Sequence, residues 1–419
     1  MAPALLRPFL PRVPLTRADR WMIFLLWVAG MAMGWAQGEA SALLPLTRAD
    51  LGITAAGMSF ILAMARLGAF GAVVLGAAAD RFGRRRPLLT ALVILLVANG
   101  VSAFAAVPVH YGIAQGFARI GGAAVAALAV VAMAEGVSPG VRAYAISFFG
   151  AAASLGAGLS VITLPLAEMT ELGWRLPHAL PLVLLAVVPF LWRKLPESPL
   201  AADLALRLPW RDLMRGERRR RFLLVAVTGL LASAFSAVGL AFTTERLIGD
   251  LGFSAGLAAL VSLGGGTVGG LGFFAGGRMA DGWGRRPTSI LALLLALGGG
   301  LMLYSVSQPW LLALAAAISA FGSFAYIPSG GAHRTELFPT SLRGAAGSAA
   351  GYLATVGSGV GLLIGAVTIG AFGLLPTMMI LGVGVVVAAL LTALLPETVG
   401  TDLGDDPLAE DDHGSVGRK

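Results

Sequence analysis

The chain has 419 residues, 57% of them hydrophobic and only 12% charged, with a mean hydropathy of +0.83. Soluble domains carry about 25% charged residues, so this composition excludes a soluble fold and predicts an integral membrane protein. The net charge of +8 sits in short loops, which argues against nucleic acid as a partner, and the absence of cysteine excludes disulfides and Cys-ligated metal or iron–sulfur sites.

Roughly 20 apolar residues in a helix cross the hydrocarbon core of a bilayer. Apolar runs of that kind cover 21–46, 55–79, 88–106, 109–134, 143–167, 176–192, 222–244, 255–279, 288–307, 309–332, 344–371 and 375–395. The first is longer than a signal-peptide core and is needed for the count, so it is read as a span despite the ASA at 40–42. No alternating strand pattern of the β-barrel kind is present. Twelve spans put both termini on one side, and the basic residues choose that side. Of the 30 Lys and Arg, 25 fall on the termini and every second connection, and three on the other loops. The positive-inside rule makes the first set cytoplasmic.

The organisation expected is a cytoplasmic N-terminus (1–20), a six-helix half (21–192), a cytoplasmic linker (193–221) containing RRRR, a second six-helix half (222–395) and a cytoplasmic tail (396–419). The loops carry a repeat. GAAADRFGRRRP at 76–87 is echoed by GGRMADGWGRRP at 276–287, and EGVSPGVRA at 135–143 by ELFPTSLRG at 336–344. Asp80, Gly83, Arg84, Glu135 and Arg142 match Asp281, Gly284, Arg285, Glu336 and Arg343 at one offset of 201. One offset shared by four loops implies two homologous halves in the same topology, related by a pseudo-two-fold axis along the membrane normal. The fold class is thus an all-α integral membrane protein of twelve transmembrane helices.

The G-x-x-x-D-R-x-G-R-R loop after the second span resembles the signature loop of the major facilitator superfamily. ExxPxxxRG at 336–344, GWR at 173–175, PESP at 196–199 and PET at 396–398 resemble its sugar-porter and metabolite or organic-ion branches. The resemblance implies a secondary transporter working by alternating access; the sequence itself, with no nucleotide loop, metal cluster or catalytic-triad spacing and four scattered histidines, argues against an enzyme. The resemblance also implies two cytoplasmic gate networks, Asp80–Arg84–Glu135–Arg142 and Asp281–Arg285–Glu336–Arg343, with Gly83 and Gly284 allowing tight turns. Topology signalling is the simpler reading of the arginines, but it leaves the acids and the second copy unexplained. Glycines cluster in helices 2, 5, 8 and 11. Generic close packing accounts for them; the resemblance places those helices at the sliding contact between halves.

Three charges lie well inside spans, away from their ends: Glu39, Arg66 and Arg119. Intramembrane charges are functional hypotheses by default. Their depths differ by about 5–6 Å at 1.5 Å per residue, a gap an arginine spans, so Glu39 can pair with Arg119 or with Arg66. In the family's proton-coupled sugar porters a helix-1 acid pairs with a helix-4 arginine, and Arg119 in QGFARIGG resembles the latter. The acid's usual place, counted from Pro45, falls on Ala36; Glu39 stands three residues later, nearly one turn. A static pair that merely holds the half together is the alternative.

Two arginines against one acid favour an organic anion as substrate. Gln37, Asn99, Gln115, Tyr326 and Tyr352 join Arg66 as substrate-binding candidates. His333 is placed as a gate or cap near the cytoplasmic end of its helix, and Tyr304 and Trp310 as interfacial anchors. The function expected is proton-coupled symport of a small organic anion, by a monomer in the plasma (inner) membrane with both termini cytoplasmic. The alternatives are antiport efflux, disfavoured because GAAASLGAGLSV in helix 5 has no proline, and uptake of a neutral sugar. No cofactor or metal is expected.

Overall fold

A computed structural model describes residues 14–138, 141–197 and 210–399, and every regular element among them is helical. Much of the expected N-terminal segment, the middle of the linker and most of the tail lie outside the described residues. Among the described residues, twelve helices are long and apolar enough to cross a membrane: α1 (Arg17–Ala42), α2 (Ala55–Ala79), α3 (Arg85–Ser102), α4 (Pro108–Gly136), α5 (Tyr144–Met169), α6 (Arg175–Lys194), α7 (Gly216–Asp250), α8 (Ala255–Gly282), α9 (Arg285–Ser305), α10 (Pro309–Glu336), α11 (Ala345–Phe372) and α12 (Leu374–Ala393). The twelve runs read from hydropathy are therefore present, with shifted ends.

The shifts have local causes. α1 starts at Arg17 because Thr16 and Asp19 form a reciprocal capping box, which satisfies two N–H groups that the first turn leaves bare. The Asp19 carboxylate also accepts from the backbone N and hydroxyl of Ser138, tying the start of α1 to the end of α4. α1 ends at Ala42, and Leu44–Asp50 forms a separate short helix with Pro45 in its first turn. α7 starts at Gly216, so the RRRR of 218–221 forms its opening turns. The short helix Trp210–Leu213 precedes it.

A further echo of the repeat appears in the turns at the opposite ends of the helices. DLGIT (50–54) and DLGFS (250–254) stand 200 apart. Gly52 and Gly252 both adopt positive φ, +64° and +67°, the region in which a Cβ is penalised. The Thr54 hydroxyl accepts from Gly57 N and the Ser254 hydroxyl from Leu257 N, capping α2 and α8 alike.

The chain divides into two compact units: 1–52 with 67–205, and 53–66 with 206–419. The first holds a core of Leu25, Leu26, Leu88, Leu92, Leu95 and Val125 from α1, α3 and α4, all almost fully buried. Here α1 crosses α5 backbone to backbone: a Cβ on Gly34 would collide with the Ala153 carbonyl, and one on Gly156 with that of Met31. In the second unit α7 crosses α11 in the same way, with Gly357 on Leu230 and Gly361 on Ala234. Gly265, Gly269, Gly272 and Gly276 of α8 lie on Ala316, Ala320, Phe321 and Ala325 of α10. These glycines thus serve close packing within a unit, as small residues do between helices in lipid.

Residues 53–66, the first half of α2, cluster with the second unit, where the Ser59 hydroxyl donates to the Leu362 carbonyl of α11 at 2.7 Å. The helix changes its hydrogen bonding just beyond, at the 3-10 turn Ala69–Gly71. Trp310 is 67% exposed, as an interfacial anchor would be. Tyr304 is not an anchor. It is buried at 2% exposure, and its hydroxyl donates to the Gly239 carbonyl at 2.9 Å.

Candidate functional site

In the first unit, Glu39 lies one turn before the end of α1 and is fully buried. Its Oε1 accepts from Trp35 Nε1 at 2.7 Å, one turn back on the same helix, and from the Thr163 hydroxyl of α5 at 3.3 Å. Its Oε2 meets no donor among the described residues. Arg119, on α4, donates from Nη1 to the side-chain oxygen of Gln37 at 3.0 Å. The expected ion pair between Glu39 and Arg119 is therefore not formed. The acid is held by two neutral donors, and an amide two residues before it meets the guanidinium. A glycine makes the latter contact possible: a Cβ on Gly122 would overlap the Gln37 amide.

Asn99 and Gln115 are both buried between helices. Asn99 Nδ2 donates to the His178 carbonyl at 3.1 Å, joining α3 to α6, and Gln115 Nε2 donates to the Ser102 hydroxyl at 2.9 Å, joining α4 to α3. In this structure both amides serve helix packing.

The remaining intramembrane candidates belong to the second unit. Arg66 is half-buried at the end of the α2 segment that clusters there, and none of that unit's carboxylates forms an ion pair with it among the described residues. Tyr326 is half-buried on α10 against Gly330, and Tyr352 on α11 is 51% exposed.

The loop motifs build two matching charge networks, one at the end of each unit. In the first, Arg84 contacts Glu135 through Nε and Nη2 at 3.2–3.4 Å. In the second, Arg285 meets Glu336 at 3.2–3.3 Å and also Asp281. The Asp80 side chain lies outside the described residues. Arg142 is exposed, and Arg343 donates from Nε to the Phe338 carbonyl at 2.9 Å.

Each network has a member that the loop motifs did not reveal. Glu197, just after α6, accepts from Arg85 N at 2.9 Å, and Glu397, just after α12, accepts from Arg285 N and Arg286 N at 2.8 and 3.1 Å. Each carboxylate thus caps the N-terminus of α3 or α9 from a distance, where bare N–H groups and the helix dipole favour an anion. Gly83 (φ +83°) and Gly284 (φ +121°) leave room for them, since a Cβ on either would press on the glutamate carboxylate. The Thr398 hydroxyl closes the second network by donating to Glu336 at 2.6 Å, and His333 Nε2 bonds the Pro396 carbonyl at 2.8 Å. A signal for these acids did exist, because PES and PET stand 200 apart while Arg85 and Arg286 stand 201 apart. Burial alone would raise the Glu397 carboxyl, but backbone N–H donors from Arg285, Thr398, Val399 and Arg286 outweigh it and hold the group below the usual carboxylate range. At the opposite end of the first unit, the Trp174 indole and then the Arg175 guanidinium do the same for Asp50, which Arg175 meets at 2.7 Å.

Twelve apolar helices with two copies of the same charge network narrow the families sharply, and the sequence profile of the Major Facilitator Superfamily matches residues 22–276 and 224–414. The chain belongs to the Major Facilitator Superfamily. No curated protein sequence matches it. Among solved structures, this superfamily chain resembles a D-xylose–proton symporter at 21% identity and a TM-score of 0.72, over 92% of this chain and all of that one. It also resembles a point mutant of the nucleoside transporter NupG at 14% identity and 0.74, over 89% and 99%. A bacterial homologue of the human lysosomal transporter Spinster, inward-facing and occupied, aligns at 14% identity and 0.72, over 91% and 97%. At these identities the likeness establishes the fold of two six-helix halves. The superfamily member is a multi-pass membrane transporter, not an enzyme.

Proposed function

We propose that this superfamily member is a proton-coupled symporter of a small organic anion. The observation that carries the reading is the setting of Glu39: a fully buried carboxyl in a span, held by Trp35 and Thr163 rather than by a cation. Such a group takes up and releases a proton without first breaking an ion pair. A buried carboxylate with one bare oxygen is costly, so its charge state is coupled to whatever rearranges around it. Arg119, one amide away through Gln37, is positioned to respond. Arg66 supplies the attraction for an anion, since a guanidinium matches a carboxylate with two parallel bonds. Tyr326 and Tyr352 are the remaining candidates for substrate contact. The basic loops orient both termini to the cytoplasm, in a plasma or inner membrane, and the transporter acts as a monomer.

The test is uptake into liposomes with and without an imposed pH gradient, across carboxylates, D-xylose and nucleosides, repeated with Glu39→Gln. An inward proton gradient is expected to drive accumulation of a carboxylate by the native chain, and Glu39→Gln to abolish accumulation against a gradient while leaving downhill exchange. Indifference to the gradient for every transported solute overturns proton symport. Uptake confined to D-xylose or nucleosides overturns the anion.

A further inference from the structure

Five arginines stand where the first span of the second unit begins: Arg215, Arg218, Arg219, Arg220 and Arg221. Topology signalling accounts for their number, but not for where on the helix they stand. Four of them occupy the opening turns of α7, the end at which the helix dipole disfavours cations. The neighbouring acids are already engaged. Asp212 meets Arg215 at 3.2 Å, and Glu217 meets Arg220 at 3.0 Å and Arg221 at 3.6 Å. Arg219 is exposed, and its side chain forms no hydrogen bond or ion pair among the described residues.

The fold decides which way these arginines face. Phe222 and Ala226 of α7 are buried in a core with Leu213, Phe338, Leu342 and Leu395. Arg219, Leu223 and Val227 follow one another at four-residue spacing on another face of the same helix, all three exposed. α12 runs antiparallel alongside, because the Thr228 hydroxyl donates to the Ala388 carbonyl at 3.5 Å while Leu231 lies against Gly384. Towards the start of α7 the two helices leave a groove of about 460 Å³. Leu223, Leu224 and Val227 of α7 and Leu391 of α12 wall it, and Arg219 and Arg220 line its charged end. Exposed Val387, Leu390 and Leu394 continue the apolar surface along α12.

We propose that the groove between α7 and α12 binds an anionic phospholipid, its phosphate on Arg219 and Arg220 and one acyl chain along Leu223, Val227 and Leu391. An amphiphile of that kind matches both parts of the groove. Guanidinium meets phosphate with two parallel bonds, and basic clusters directly beside a span attract anionic lipid heads. The apolar wall runs about 12 Å from Arg219 to Val227 at 1.5 Å per residue, room for a stretch of acyl chain. The head is net negative rather than zwitterionic, because Asp212 and Glu217 are both held by arginines and offer no carboxylate to a choline or ethanolamine ammonium. The acidic tail, with Asp405, Asp406, Asp411 and Asp412, complements the arginines but has no counterpart for the leucine-walled slot, so lipid is the occupant that fits the whole groove.

Native mass spectrometry of the full chain tests this, with phosphatidylglycerol or phosphatidylcholine of identical acyl chains added to the detergent. The chain is expected to retain phosphatidylglycerol several-fold better. Arg219→Gln with Arg220→Gln should lower that retention to the phosphatidylcholine level. Arg193→Gln with Lys194→Gln removes the same charge from the end of α6 and should change retention less than twofold. Equal retention of the two lipids, or equal loss in the two double variants, overturns the site. Val227→Trp fills the slot with the arginines intact and should lower phosphatidylglycerol retention several-fold; unchanged retention overturns the acyl chain's place. Arg193, Lys194, Arg219, Arg220 and Val227 are all exposed, so native thermal midpoints are expected of these variants. Asp405→Asn, Asp406→Asn, Asp411→Asn and Asp412→Asn together should leave retention unchanged; a several-fold rise would make the tail the occupant and overturn the proposal.

Discussion

Gly122 shows how a single residue decides the site. It carries no chemistry, yet its missing Cβ is the space in which the Gln37 amide lies while accepting from Arg119. Gly122→Ala is expected to displace Gln37 and to cost about 1.5–3 kcal/mol, the range for a hydrogen bond to a charged group. Combined with Gln37→Ala the cost should fail to add, as thermal unfolding of the four forms would show; strict additivity would mean that the glycine acts elsewhere. Glu397 makes a pH-dependent contribution. Its carboxyl is held below the ordinary value of 4.5, so the stability it confers is present above that pH and is lost as pH falls through the lower folded value. Glu397→Gln should therefore cost about 1 kcal/mol at neutral pH, like the loss of a helix cap, and should flatten the dependence of the unfolding midpoint below pH 4.5. An unaltered acid limb would refute the capping role. Glu39, Arg66 and Arg119 were legible in the sequence as charges in apolar runs. Their partners were not, because spacing along a helix gives depth and face but not which of several groups within an arginine's reach it meets.

At the scale of elements, the helix crossings rest on backbone contact. α1 meets α5, and α7 meets α11, at glycines where any side chain would strike a carbonyl. Gly357→Leu should force α11 away from Leu230 and cost about 1–3 kcal/mol or more by overpacking. The expected readout is a lowered thermal midpoint in detergent with insertion retained; an unshifted midpoint would show the crossing to be soft. The spans themselves were readable because hydropathy is local. Their ends moved where a cap or proline acted, as at Thr16 and Pro45. The glycine clusters were visible too, but not their partners: α8 packs on α10 and α11 on α7 within one unit.

For the molecule as a whole, the duplicated network is the feature that survives in both halves. Arg84 with Glu135 and Arg285 with Glu336 repeat the same contact, and Glu197 and Glu397 cap corresponding helices. Neutralising both arginines, Arg84→Gln with Arg285→Gln, should leave insertion intact and slow transport about tenfold, within the range of 1–3 kcal/mol that links sites to a conformational equilibrium. Native rates at matched expression would reduce the networks to topology signals. The sequence by itself determined the class, the twelve spans and the duplication, because these follow from composition, from runs of hydropathy and from a single repeating offset. Only the tertiary structure decided that Glu39 is held by Trp35 and Thr163, that Arg119 meets Gln37, and that Tyr111 packs edge-on against His178, whose carbonyl accepts from Asn99. Apart from Trp35, one turn from Glu39, these groups are brought together from different helices, and which atoms meet depends on how closely glycines let the backbones approach, a property no linear pattern records.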